Sequence, residues 1–182
     1  MMIKLALAFI LDAIFGDPEW FYHPIRVIGE WISLTKKGLR RIFPSGKTGE
    51  RLAGVFLVIF VVLPSFGLPA LVLFLAGKLH PWLAFALEVF WMYQILAMKC
   101  LKTEAMKVYD ALAHRDIVLA RQRLSWLVGR DTQKLSEEEI VKATVETVAE
   151  NTTDGVIAPM IFMAIGGAPL GFAYKAVNTL DS

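Results

Sequence analysis

The stretch "LAGVFLVIFVVLPSFGLPALVLFLAG", residues 52–77, decides the fold. It lies between Arg51 and Lys78 and carries no charge over its 26 residues. A bilayer core of roughly 30 Å needs about 20 apolar residues of helix, so this run is long enough to cross. Pro64 and Pro69 are expected to kink or interrupt it. A second run, Leu79 to Met98, holds a single acid, Glu88. Its aromatic residues Trp82, Trp91 and Tyr93 fall toward the ends, where interfacial anchors sit. Together residues 52–98 read as a membrane hairpin with its tip near Lys78.

Two further apolar stretches flank that hairpin. Residues 155–174 contain Pro159 and "GGAPLG" at 166–171, which predicts a broken or re-entrant segment. Residues 1–15, "MMIKLALAFILDAIF", are short and include Asp12. They run into "GDPEW" rather than a small-residue cleavage site, so the expectation is an uncleaved first membrane helix, or one that only enters the interface. The composition agrees: 56% of residues are hydrophobic, against about 45–50% in soluble domains. β-signals are weak throughout. The predicted fold class is all-α, a polytopic helical membrane protein with cytoplasmic amphipathic helices.

The charges are few and clustered. A net charge of +2 predicts no nucleic-acid partner. Cys100 is the only cysteine, which excludes an internal disulfide and a thiolate metal cluster, and three scattered histidines do not support structural zinc. Seven Lys and Arg fall in 16–51 and nine in 99–154, with only Lys78 between the two long runs. The positive-inside rule then predicts that both polar segments face the cytoplasm from the inner membrane. Within the loop 16–51, "EWISLTKKGLRRIF" (30–43) would lie on an anionic headgroup surface. Residues 99–127 read as one or two amphipathic helices with "HRD" as a turn, and Ser136 with Glu139 makes a capping box.

The helix beginning there carries the most informative pattern. At about 100° per residue, Val141, Val145, Val148 and Thr152 fall on one side. Glu139, Glu146 and Glu150 fall on the other, Asp154 continues their arc before Gly155 ends the helix, and Asn151 lies at the edge. A solvated polar face accounts for such an arc. Yet like charges four apart cost a few tenths of a kcal/mol each. A divalent cation with a phosphate substrate gives the acids a reason to stand together, because Mg²⁺ takes one or two carboxylates plus phosphate oxygens.

A second constellation is "DAIFGDPEWFYHPIRVIG", residues 12–29. Gly16-Asp17-Pro18 signals a turn, in which Asp17 would cap the next helix. Alternatively Asp17, His23 and Arg26 line a polar pocket in which His23 serves as acid or base. Two motifs mislead. "SGKTGE" (45–50) lacks the upstream glycine of a phosphate-binding loop, Arg41 standing there, and reads as a flexible loop. "NTT" (151–153) matches a glycosylation acceptor, which cytoplasmic placement disqualifies.

The opening motif "DAIFGDPEWFYHPIRVIGEWI" and the stretch "LVGRDTQKLSEEEIVKATVETVAENTTDGVIAPMIFMAIGGAPLGFAYKAVNTLDS" resemble the CobD/CbiB family of cobalamin-biosynthesis membrane proteins. The acid-Asn stretch, the Gly-Gly-Ala-Pro break and the closing Asn-Thr-Leu-Asp occur in the family's order. The resemblance implies adenosylcobinamide-phosphate synthesis: the carboxylate of adenosylcobyric acid is joined to aminopropanol or its phosphate, with ATP and Mg²⁺. It marks Glu146, Glu150 and Asp154 as metal candidates and Glu146, Glu150, Asp17 and His23 as catalytic ones. Arg130, Asp131, Asn151, Lys175, Asn178 and Asp181 are marked for substrate or nucleotide. Members of that family continue well past this length, so the resemblance also implies a C-terminally truncated chain. A non-enzymatic sensor like the AmpE-like membrane proteins, or an assembly subunit for other corrinoid-synthesis enzymes, are the competing readings.

Overall fold

A computed structural model describes residues 1–17, 23–44 and 46–181, and among these there is helix but no strand. The helices are α1 (Met2–Phe15), α2 (Pro24–Ile42), α3 (Lys47–Leu79), α4 (Pro81–Ile95), α5 (Met98–Ala113), α6 (Ile117–Leu124), α7 (Glu137–Thr152) and α8 (Ala158–Asp181), with a π-turn at Thr153–Ile157 between the last two. The fold class is all-α, as the sequence predicts. Three helical stretches are long and apolar enough to cross a membrane: Lys47–Leu79, Pro81–Ala113 and Glu137–Asp181.

The α3 helix makes the case for lipid most directly. Only 6% of its apolar window is buried, and Phe56, Ile59, Phe60, Leu63, Leu71 and Phe74 all stand exposed. A helix apolar around its whole circumference belongs in hydrocarbon, since water tolerates exposed apolar patches of only a few hundred Å². At 1.5 Å per residue α3 is about 50 Å long, more than a perpendicular crossing needs.

Pro64 and Pro69 do not interrupt α3, which runs unbroken through both. The cost of Pro64 is met by a neighbour. Its missing N–H deprives the Phe60 carbonyl of a helical donor, and the indole Nε1 of Trp31 donates to that oxygen at 2.9 Å. This bond fastens α2 to α3. The segment 16–51 is therefore largely a packed helix, and residues 47–50, read above as loop, are the first turn of α3. Pro18 of the expected turn and Ser45 of the expected loop lie outside the described residues.

The re-entrant expectation for 155–174 is met. Inside α8 the helix breaks at Gly166 (φ −133°, ψ 20°) and Gly167 (φ 69°, ψ −166°). The limbs on either side, 158–165 and 168–181, fold back against each other. Phe162 stacks on Tyr174 with ring centroids 4.9 Å apart, and Met163 packs on Gly171. Twelve residues of straight helix would separate Phe162 from Tyr174 by about 18 Å. The first limb, eight residues deep, reaches about 12 Å, well short of a crossing.

The tip of this hairpin meets charge. Glu88 of α4 pairs with Lys4 of α1, and its Oε1 lies where a Cβ on Gly167 would be, 2.3 Å from that position. Only glycine combines the positive φ with that approach. Behind the tip, Leu5, Ala8, Val61, Met92, Ile95, Leu96, Met163, Phe172 and Ala176 form one buried cluster joining α1, α3, α4 and α8. A second cluster, Val108, Ala111, Ala120, Leu124, Ile140 and Ala143, joins α5, α6 and α7.

The α7 helix starts at Glu137 with the predicted capping box: the Ser136 N–H donates to Glu139 at 2.7 Å and the Glu139 N–H to Ser136 Oγ at 3.3 Å. Its buried side is not the expected one. Ile140, Ala143 and Thr147 are buried, whereas Val141 and Val145 are exposed. On the wheel this strip lies between the valines and the acids, because α5 and α6 supply the partners there. The acids consequently edge a packed face instead of opposing it.

Two interactions join the clusters. The Ala97 N–H, between α4 and α5, donates to the Gly155 carbonyl in the π-turn at 3.2 Å. Asp12, fully buried on α1, accepts from the N–H groups of Met98 (3.0 Å) and Lys99 (3.4 Å) and so caps α5.

Two substitutions test this account. Gly167→Ala forces a left-handed alanine against the Glu88 carboxylate and is expected to destabilise the protein by at least about 2 kcal/mol. Gly54→Ala, with open space around it in an exposed turn of α3, is expected to be neutral or slightly stabilising; thermal unfolding in detergent compares the two. Asp12→Ala orphans two helix donors and should cost about 1–2 kcal/mol. Amide exchange at residues 98–101 would rise with it, and unchanged protection there would remove Asp12 as the cap.

Candidate functional site

Two open clefts lie where the membrane bundle meets the polar helices. The larger, about 800 Å³, is walled by α5, the loop before α7, α7 itself, the π-turn and the return limb of α8. Its lining includes Arg130, Glu146, Glu150, Asn151, Asp154, Lys175 and Asn178. Seven of the residues marked in the sequence thus line one cleft. The π-turn is part of the reason. The helix does not end at Gly155 but continues through a wider turn, and such turns recur at functional sites. The fold-back of α8 supplies the rest, bringing Lys175 and Asn178 back to the level of α7.

Side-chain contacts separate the roles. Glu146 is drawn toward Arg130 and Lys142, both at 3.9 Å and both solvent-exposed, contacts of little energetic weight. Glu150 makes neither ion pair nor hydrogen bond through its side chain among the described residues. Asn151 spends its amide N–H on the Thr147 carbonyl at 3.0 Å, which leaves its oxygen to the cleft. Lys175 is nine-tenths buried, yet among the described residues its ammonium forms no ion pair within 4 Å and no hydrogen bond; of the carboxylates, Asp154 acts on it most strongly. Counting the lining, two more carboxylates than cations face this space.

Asp131 and Asp181 are not brought into either cleft. Asp131 accepts from the Gln133 N–H at 2.9 Å and shapes the exposed loop. That loop is fastened to α6 by Thr132 Oγ1 donating to the Arg121 carbonyl and Arg121 Nε donating to the Leu135 carbonyl, both at 2.8 Å, which fixes where Arg130 stands. Asp181 is exposed at the end of α8.

The smaller cleft, about 580 Å³, holds the other constellation: Asp17, His23 and Arg26, with Tyr93, Gln94 and Glu104. Asp17 does not cap α2; His23 does, its Nδ1 accepting from the Ile25 N–H at 3.3 Å. With Nδ1 accepting there, Nε2 is the nitrogen turned to Asp17, 3.4 Å from its Oδ1 and outside hydrogen-bond geometry. Nε2 is the only His23 nitrogen left for proton exchange. The hydroxyl of Tyr93 donates to the Gly16 carbonyl and holds the end of α1 at this cleft.

The two clefts share a wall of Ala97, Cys100 and Glu104. Cys100 and Glu104 were not singled out in the sequence. Both sit on an amphipathic helix whose polar residues look alike until the α4–α5 junction orients them.

Among the described residues, no three His, Cys, Asp or Glu side chains converge closely enough to hold a metal ion by themselves. The hard oxygen donors of Glu146, Glu150, Asn151 and Asp154 instead suit a cation that arrives with phosphate oxygens and completes its shell from them.

The family model described as CobD/Cbib protein matches residues 5–182. Among curated relatives, the chain is 48% identical over 181 residues to "Cobalamin biosynthesis protein CobD" of Clostridium perfringens, covering 100% of this chain and 56% of the relative. It is 44% identical to the protein of the same name in Citrobacter koseri, with the same coverage. It is 47% identical to "Cobalamin biosynthesis protein CbiB" of Salmonella arizonae, again over 100% and 56% of the two chains. The chain thus spans little more than half the length of these relatives. No solved structure matches it. With a match of this extent to the family model and identities in the forties along the whole chain, it belongs to the CobD/CbiB family.

Proposed function

We propose that this chain carries the nucleotide-handling part of a membrane enzyme of cobalamin biosynthesis, one that joins the carboxylate of adenosylcobyric acid to aminopropanol or its phosphate at the expense of ATP. The names of its relatives support the pathway. The observation that supports the chemistry is a buried Lys175, without an ion pair among the described residues, in a cleft that also carries a row of carboxylates. Positive charge placed beside hard oxygen ligands is what a phosphoryl group and its magnesium ion need.

A carboxylate does not form an amide with an amine at neutral pH unless it is first activated. In the proposed reaction its oxygen attacks the terminal phosphorus of ATP and ADP leaves. The amine then attacks the acyl carbon of the acyl phosphate, phosphate leaves, and the nitrogen loses a proton. Magnesium bound with the nucleotide neutralises phosphate charge, and Glu146, Glu150 and Asp154 are the residues to hold it, with the Asn151 oxygen beside them. Lys175 and Arg130, which line the same cleft, would meet the phosphate oxygens. His23, whose Nδ1 accepts from the Ile25 N–H, would present Nε2–H beside Asp17 to a ligand as a hydrogen-bond donor. The polar helices face the cytoplasm in this reading, where ATP is supplied.

Glu150→Gln in the complete protein, assayed for corrinoid amidation with saturating ATP and Mg²⁺, is expected to lower turnover by about 10²–10³-fold, the usual loss of one charge-stabilising group. Glu137→Gln, in the exposed first turn of α7, should leave turnover unchanged. Full activity of the Glu150 variant with normal magnesium dependence would overturn the assignment.

A further inference from the structure

The α2 helix uses only part of its apolar face. At about 100° per residue, Lys36, Lys37, Arg40 and Arg41 fall in one arc and the apolar side chains in the other. Of the apolar ones, Ile28 and Leu39 are buried, whereas Val27, Trp31, Leu34 and Ile42 stand exposed. On the wheel the exposed four form a strip between the buried residues and the basic arc, with Lys37 and Arg41 on its border.

The basic end of α2 stands beside the first turns of α3. Phe43 stacks on Phe56 with ring centroids 5.5 Å apart, and Lys47 and Arg51 precede the charge-free run of α3. From Trp31 to Val55 the chain carries six cations against one acid, Glu50. All six are exposed, and among the described residues none of them forms an ion pair. The other end of the strip opens on an apolar groove of about 280 Å³, which Val27 and Trp31 share with Pro64, Leu68 and Pro69 of α3. The Ser65 hydroxyl in that groove donates to the Val61 carbonyl at 2.8 Å and the Trp31 indole to Phe60, so neither is left for a polar ligand. From Trp31 to Arg40 is about 14 Å of helix. That is about half of a hydrocarbon core of roughly 30 Å, the depth of one leaflet's acyl chains.

We propose that α2 and the start of α3 form a seat for an anionic phospholipid. Lys37 and Arg41 receive its phosphate, within the field of Lys36, Arg40, Lys47 and Arg51. One acyl chain lies along the exposed strip of α2 and ends in the groove at Pro64. Cations clustered where an apolar helix enters lipid attract anionic headgroups. A zwitterionic headgroup would bring one more cation to a cluster already short of counter-charge, so the seat selects for net negative charge. The strip continues the lipid-facing surface of α3, which is why no protein side chain covers it. This surface shares no lining residue with the two clefts, and the assignment does not depend on the reaction proposed above.

The complete protein in neutral detergent, titrated with dioleoyl-phosphatidylglycerol or dioleoyl-phosphatidylcholine and followed by native mass spectrometry, provides the test. Phosphatidylglycerol is expected to bind several-fold more tightly. Lys37→Gln with Arg41→Gln should weaken it about 10-fold or more and leave phosphatidylcholine within about twofold. Lys134→Gln with Lys142→Gln, which removes two exposed cations from the loop before α7 and from α7 itself, should change neither. Val27→Trp, which fills the groove, should weaken both lipids several-fold and keep their ratio. A thermal midpoint equal to wild type shows that each variant is folded. Equal affinity for the two lipids, or a preference that survives loss of Lys37 and Arg41, overturns the seat. Displacement of the lipid by glycerol phosphate at equal concentration also overturns it, since the acyl chain would then contribute nothing. So does a dimer that Leu34→Gln dissociates, because a second copy would then cover the strip.

Discussion

Glu88 and Lys4 form an ion pair within a largely apolar bundle, and the re-entrant hairpin closes on it. Hydrocarbon offers no partners to a broken helix, so irregular backbone at membrane depth survives only where protein covers it. The break at Gly166–Gly167 is covered by α4, and the group presented there is the Glu88 carboxylate. A charged group without a partner is costly at membrane depth, and Lys4 supplies the partner for Glu88. The pair therefore ties three elements distant in sequence, α1, α4 and α8, to one point. Without the fold-back that it anchors, a straight α8 would carry Lys175 and Asn178 some 30 Å away from the first residue of the helix, out of reach of the acids.

The site itself is assembled from helix ends. Asp12 caps α5, the Ala97 N–H reaches the carbonyl released in the π-turn, and Tyr93 holds the last carbonyls of α1. Each bond satisfies a backbone group that a helix terminus leaves open. Each also positions a cleft wall. The same economy appears at Pro64, where a carbonyl without a helical donor becomes the anchor for Trp31 and so orients α2, which delivers His23 and Arg26. Backbone satisfaction and cleft geometry use the same contacts here, so the bonds that close helix ends also bring the polar helix faces of the clefts together.

Much of this was legible in the sequence, for identifiable reasons. Runs without charge gave the spans, because lipid excludes charge. "GGAPLG" gave the break, because only glycine takes φ of 69° beside a carboxylate. "SEEE" gave the start of α7, because its cap is local. The acid row was visible as a period. What failed was tertiary. The buried strip of α7 was misplaced, since hydropathy pointed to Val141 and Val145 while α5 and α6 pack on Ile140 and Ala143. For Asp17, turn chemistry left a cap and a pocket with His23 and Arg26 both open; His23 takes the N-cap position and Asp17 faces its ring. Cys100, Glu104 and the capping role of Asp12 carry no local signal, because each acquires its part from an element more than 50 residues away.

The misplaced strip also answers why the chain tolerates a row of acids. On a fully solvated face, Glu146, Glu150 and Asp154 would repel one another weakly through water, and their spacing would mean little. At the edge of a buried strip the medium is less polarisable and the same repulsion is larger. The protein supplies only partial compensation: Arg130 and Lys142 stand 3.9 Å from Glu146, and Lys175 faces Asp154 without touching it. A structural arrangement would close those gaps with direct ion pairs. An arrangement that keeps cation and carboxylates apart across a cleft holds two potentials in place, and a ligand carrying both signs, a phosphate with its metal, lowers the energy of both at once.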